Sequence, residues 1–194
     1  MKILGALFLL HLPCQAIGFA NGVKIGELTD TSAVLWTRLT KKQEAGNRVE
    51  KWESDAPNWT VPGAAGKIRF TYWKDGAGDD SISTDWVEAG PQDDYCHQVA
   101  IHDLSPATTY ACEANAETAS GTASFQGKFT TAPKSELDAS VTFTVSTCQE
   151  FELRDDKDNG HKIYRSMLAL KPSFFIQTGD TLYYDRKPPL SENM

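Results

Sequence analysis

YCHQVAIHDLSPATTYACEA, residues 95–114, decides the fold. Val99 and Ile101 alternate with polar neighbours, and the alternation resumes after an interruption at Tyr110, Cys112 and Ala114. A period of two is that of a strand with one face buried. Pro106 locks its own φ and has no N–H for a ladder, so it belongs at the corner between two such strands. Leu104 closes the core beneath that corner. Tyr110, six residues after Leu104, has the reach to bury its ring while its hydroxyl bonds to nearby backbone.

The spacing of Leu104, Pro106 and Tyr110 resembles the corner of fibronectin type III and immunoglobulin-like sandwiches. Working outward, VKIGELTDTSAVLWTRL at 23–39 gives Val23 and Ile25, a turn at Thr29 and Asp30, then Val34 and Trp36 on one face of a second strand. KIRFTYWKDG at 67–76 alternates through Ile68, Phe70 and Tyr72 into an Asp-Gly turn. SFQGKFTTAP at 124–133 is a last strand ending at Pro133. Several short strands at near-regular spacing predict a mainly β chain with a sandwich over residues 22–132. Between Thr40 and Lys67 a Gly-, Pro- and charge-rich stretch reads as an inserted loop, anchored by Trp52 and Trp59. Asn58, Trp59 and Thr60 within it form a glycosylation sequon, a triplet common by chance.

The chain opens with Lys2, an apolar run from Ile3 to Leu10 and small residues near Ala16 and Ala20, the layout of a secretory leader over residues 1–20. The run is too short to span a bilayer, and no other segment is apolar enough, so export to the periplasm or the extracellular space is expected without a membrane span. Cys14 stands near a lipoprotein position, but His11, Leu12 and Pro13 before it match that signal poorly. Loss of Cys14 with the leader leaves Cys96, Cys112 and Cys148, an odd number for an oxidising compartment. A bridge between Cys96 and Cys112 is disfavoured, because alternation puts Cys112 with buried Tyr110 and Cys96 on the face opposite Val99 and Ile101. The formal net charge of −7 and the lack of a Lys/Arg cluster leave no footprint for nucleic acid.

After the polar linker TAPKSELDAS at 131–140 the period changes, and a second unit is expected over 139–194. Val141, Phe143 and Val145 form a short strand running into STCQEF. A helix follows from about Gly160 to Leu170, with Asp158 or Asn159 as its cap, the pairs Ile163/Met167 and Tyr164/Leu168 four residues apart, and Pro172 as its stop. SFFIQTGD at 173–180 then has the composition of a buried strand. Strand, helix and strand in that order predict a right-handed crossover between parallel strands, whose carboxyl ends share one edge. Cys148 and Asp180 would therefore face one crevice, a thiolate and a carboxylate suited to a metal.

Here the sequence resembles a known family. GDTLY, with Gly179, Asp180 and Tyr183, is similar to the second motif block of calcineurin-like metallophosphoesterases in its GDxxY form. VSTCQ, with Cys148 and Gln149, is similar to the VSCQ-like context of PhoD-type alkaline phosphatases, and KIGELTDTSAVLWTRLT at 24–40 resembles their N-terminal domain. The resemblance implies metal ligation by Cys148, Asp180 and Tyr183: thiolate and phenolate to iron, and the carboxylate bridging to a second cation, expected to be calcium. It implies a phosphate ester as substrate and hydrolysis of monoesters or diesters, with two cations orienting the ester and lowering the pKa of a water. No catalytic residue beyond the ligands is identifiable.

The family's later blocks carry an Asn-His pair and further histidines, which the sequence to Met194 lacks; an incomplete chain, inactive alone, is expected. His97, His102 and His161 read as surface or hydrogen-bonded residues, and DDKDNG at 155–160 as a solvated loop, since its spacing misses that of a calcium loop. DGAGDD at 75–80 reads as a strand connection. Two other readings stand beside the metallophosphatase: a fibronectin-like binding module with a vestigial catalytic stub, and an inactive remnant. Oligomeric state is left open.

Overall fold

A computed structural model describes residues 17–43, 61–76, 80–150, 153–156 and 159–181. Its first unit is a two-sheet antiparallel sandwich. One sheet joins β1 (Val23–Gly26), β2 (Ala33–Arg38) and β6 (Cys96–Ile101) in that order. The other places β3 (Gly66–Lys74) between β7 (Thr109–Thr118) and the short strands β4 (Ile82–Ser83) and β5 (Val87–Ala89), with β8 (Gly121–Thr130) beyond β7. The expected sandwich is therefore present, and its core is formed by Leu35, Ile68, Phe70, Tyr72, Ile101, Tyr110, Cys112 and Phe129.

The corner follows the sequence closely. Leu104 and Tyr110 are buried, and the Tyr110 hydroxyl accepts a hydrogen bond from the Ser105 N–H at 2.8 Å. The Tyr110 ring stacks on Phe129 with centroids 5.6 Å apart. Residue i+6 from Leu104 thus fills the core with its ring and satisfies a backbone donor with its tip.

In β2 the face is corrected. Ala33, Leu35 and Thr37 point inward, while Val34 and Trp36 lie half-buried on the outer side. The register explains this: Leu35 lies opposite Ile25 and Val99, and Thr37 opposite Val23 and His97, so these residues share the inner face. A slip of one residue in a strand exchanges its faces. Thr37 is accommodated because its hydroxyl donates to Gly22 O at 2.8 Å, leaving no orphaned polar group in the core. Cys96 faces outward and Cys112 inward, and both are free thiols, in keeping with the alternation.

Residues 1–16 of the expected leader lie outside the described residues, but its last four do not. Ile17 and Phe19 are core residues, 5% and 3% exposed, and Gly18 exchanges backbone hydrogen bonds with Thr40 at 2.8 and 2.9 Å. Gly18 has to be glycine, since a Cβ there would sit 2.4 Å from Gln43 Cα. Trp52, Trp59 and the sequon of the inserted loop also lie outside the described residues.

The second unit contains β9 (Phe143–Ser146), α1 (Lys162–Ala169) and β10 (Phe174–Gln177), and the two strands pair in parallel as expected. Phe143 and Val145 lie opposite Phe174 and Ile176 on one face; Thr144 and Ser146 lie opposite Phe175 and Gln177 on the other. Tyr164 of α1 packs edge-on against Phe175, with centroids 5.8 Å apart, so the second face is the one that α1 covers. The prediction that 173–180 is a buried strand is corrected: Phe174 is 47% and Ile176 38% exposed, and Phe143 stacks on Phe174 in the open at 5.2 Å. The sheet has two strands here, and among the described residues nothing packs over that face.

The helix cap is corrected as well. Residue His161 takes the cap position without a side-chain cap bond, and Asp155 Oδ1 accepts the Lys162 N–H at 2.8 Å instead. That bond holds the Asp155 carboxyl below its ordinary range. Asn159 turns back to the Asp156 carboxylate, and Asp158 lies outside the described residues. No helix among the described residues is long and apolar enough to cross a membrane.

Candidate metal centre

Parallel pairing brings the carboxyl ends of β9 and β10 to one edge, and the ladder continues past both strands. Thr178 N–H donates to Ser146 O at 2.9 Å, Cys148 N–H to Gly179 O at 3.2 Å and Gln149 N–H to Asp180 O at 2.8 Å. VSTCQ and QTGD therefore run side by side as two stitched loops. Cys148 Sγ lies 3.5 Å from Asp180 Oδ2, and both side chains are exposed at the edge. The shared strand edge deduced from the order strand, helix, strand thus brings these two residues together, both of them exposed there. Tyr183, the third expected ligand, lies outside the described residues.

The backbone at this edge is unusual. Cys148 has φ 55°, Gly179 φ 135° and Asp180 φ 52°, all in the region that side chains disfavour. A Cβ on Gly179 would meet nothing within 4 Å, so glycine is required there by conformation rather than by space. Left-handed non-glycine residues cost on the order of 1–3 kcal/mol each and persist where surrounding bonds over-determine them. Here those bonds are the cross-loop ladder and a side-chain network that the sequence reading missed. Gln149 Oε1 accepts from the Tyr164 hydroxyl of α1 and from Gln177 Nε2 at 3.4 Å. Helical spacing had placed Tyr164 on an apolar stripe with Leu168; its ring does pack, but its hydroxyl carries the link to the site loop. The only signal in the sequence was a tyrosine, with its polar tip, among aliphatic neighbours.

A soft thiol sulfur and a hard carboxylate oxygen within reach of one cation are a donor pair that fits iron or a similar first-row ion. Among the described residues no group of three or more His, Cys, Asp and Glu converges on one point. The histidines lie elsewhere. His97 stacks on Phe70 at 5.7 Å with its Nε2 buried and unpartnered, so the reading of a surface or hydrogen-bonded residue is corrected there. His161 stands edge-on to Tyr164, its Nε2 likewise buried without a partner, and His102 is exposed.

Residues 12–133 match the family model for the PhoD-like phosphatase N-terminal domain. No curated protein sequence matches the chain. Among solved structures, the structure of PhoD aligns with a TM-score of 0.64 at 22% identity, over 86% of this chain and 28% of that one. The chain thus spans little more than a quarter of that protein. A fibronectin type III domain of the human collagen α-1(XX) chain aligns with a TM-score of 0.39 at 15% identity, covering 61% of this chain and 85% of the other. The sensor domain of the anti-sigma factor RsgI4 from Pseudobacteroides cellulosolvens aligns with a TM-score of 0.40 at 17% identity, covering 61% and 94%.

Proposed function

Because the chain belongs to the PhoD-like phosphatase family, we propose that it is the N-terminal part of an exported, metal-dependent phosphoric ester hydrolase of the alkaline phosphatase or phosphodiesterase type. The observation that carries the reading is the 3.5 Å approach of Cys148 Sγ to Asp180 Oδ2 at the shared carboxyl edge of β9 and β10. Ligands of α/β sheets gather at that edge.

In this reading Cys148, Asp180 and Tyr183 would hold iron, and the Asp180 carboxylate would also serve a second, oxygen-preferring cation, calcium. When bound, the pair of cations orients a phosphate ester and lowers the pKa of a water. The chain's own residues supply position. The stitched loops fix the thiol and the carboxylate side by side, where both would be available to one cation. The reading assigns to Cys148, Asp180 and Tyr183 only part of the ligand set that the family's site carries. In this reading the leader expected over residues 1–20 supplies the export signal.

The test is to express the longest reading frame through this sequence, then measure iron and phosphatase activity. Cys148→Ala and Asp180→Asn are each expected to lose the iron and the activity together. Full iron content in both variants would sink the metal reading. A frame without further histidine blocks would instead leave the sandwich as a binding module.

A further inference from the structure

Gln149 makes three connections at once. Its N–H donates to Asp180 O at 2.8 Å, and its Oε1 accepts from the Tyr164 hydroxyl and from Gln177 Nε2 at 3.4 Å. One residue is thus tied to the loop after β10, to α1 and to β10 itself, and it directly follows Cys148. Tyr164 is held in turn, with its ring edge-on to Phe175 at 5.8 Å and to His161 at 6.1 Å. The two residues this network brackets, Cys148 and Asp180, both carry positive φ and are exposed, so neither is held by packing of its own side chain.

We infer that the Gln149 carboxamide is the positioning group of the site: by clamping Tyr164 and Gln177 it holds the Cys148 loop against the Asp180 loop and sets the spacing of thiol and carboxylate. In this role Gln149 acts through the two loops it ties together. The chemistry needs an acceptor with two usable lone pairs at this point, which a Gln or Glu oxygen supplies and a Leu of similar size does not. The inference rests on the metal reading for its purpose but not for its existence, and two separate measurements keep them apart.

The first uses the full 194-residue chain without metal and reads amide hydrogen exchange by NMR. Gln149→Leu is expected to speed exchange at the Cys148 and Gln149 N–H groups about tenfold, the scale of one or two lost hydrogen bonds. Core amides such as that of Cys112 should not change. Gln149→Glu, which keeps the oxygen, should stay within about twofold of the parent, and Tyr164→Phe should fall between. Unprotected Cys148 and Gln149 amides in the parent, no change in Gln149→Leu, or equal acceleration throughout the sandwich would each overturn the positioning role. The second measurement uses the longest expressed frame and ferric ion, followed through thiolate-to-iron absorption. Ferric affinity is expected to fall about 10- to 100-fold in Gln149→Leu and to recover in Gln149→Glu, as for other groups that orient ligands. An exchange effect with no iron absorption even in the parent would keep the clamp and discard the metal. Iron absorption with an unchanged Gln149→Leu would keep the metal and discard the clamp.

Discussion

His97 shows how a single half-buried ring ties stability to pH. Burial against Phe70, with Nε2 lacking a partner, lowers its pKa, because the charged form has lost water and gained nothing in return. The unfolded chain takes up this proton near the ordinary value of about 6.5, whereas the folded chain takes it up only at lower pH. Between those points the unfolded state binds more protons, so stability is full above about pH 6.5 and declines as pH falls. Urea midpoints at pH 7 and pH 5 should differ for the parent and differ less for His97→Phe; parallel losses in both proteins would assign the acid sensitivity elsewhere. The sequence announced Tyr110 and Cys112 as inward because a large ring marks its face plainly. It hid the inward face of β2, where Ala33 and Thr37 are small or polar and the bulkier Val34 and Trp36 stand outside. Only the pairing of Leu35 with Ile25 and Val99 resolves that choice, and pairing is a property of two strands, not of one.

Among the elements, the corner between β6 and β7 is the best specified. Tyr110→Phe keeps the ring on Phe129 but leaves the Ser105 N–H without its acceptor. The cost should be about 1–2 kcal/mol, a net hydrogen bond plus part of a donor's desolvation. A urea titration monitored by tryptophan fluorescence would show it, and an unshifted midpoint would mean that water replaces the hydroxyl. The corner was legible since Leu104, Pro106 and Tyr110 lie within seven residues and each acts locally. The cap of α1 was not, because the Asp155 carboxylate arrives from seven positions before Lys162, across a loop whose path no spacing rule contains. The crossover itself was legible: the period changed from two to four and back, and handedness did the rest. What the strands of that unit pack against was not, since a continuous apolar run states that burial is wanted without supplying the partner.

At the scale of the molecule the two units differ in how far they close on themselves. The sandwich has an interior of its own, while the strand–helix–strand unit leaves Phe143, Val145, Phe174 and Ile176 on an open face. Residues 17–133 alone should therefore unfold in one cooperative step, with a midpoint close to that of the full chain; a failure to fold would show that the second unit supports the first. Much of this division follows from composition, since the linker at 131–140 is polar and the apolar periods change across it. The start of the sandwich is a different matter, because Ile17 and Phe19 read as the tail of a leader and instead occupy its interior. Were a leader removed from this chain, only a cut upstream of Ile17 would leave that interior whole. A cut after Ala20 would strip two interior side chains and return the Thr40 N–H and C=O to solvent. The segment from Ile17 to Ala20 is thus a working part of the sandwich, whatever is done to the residues before it.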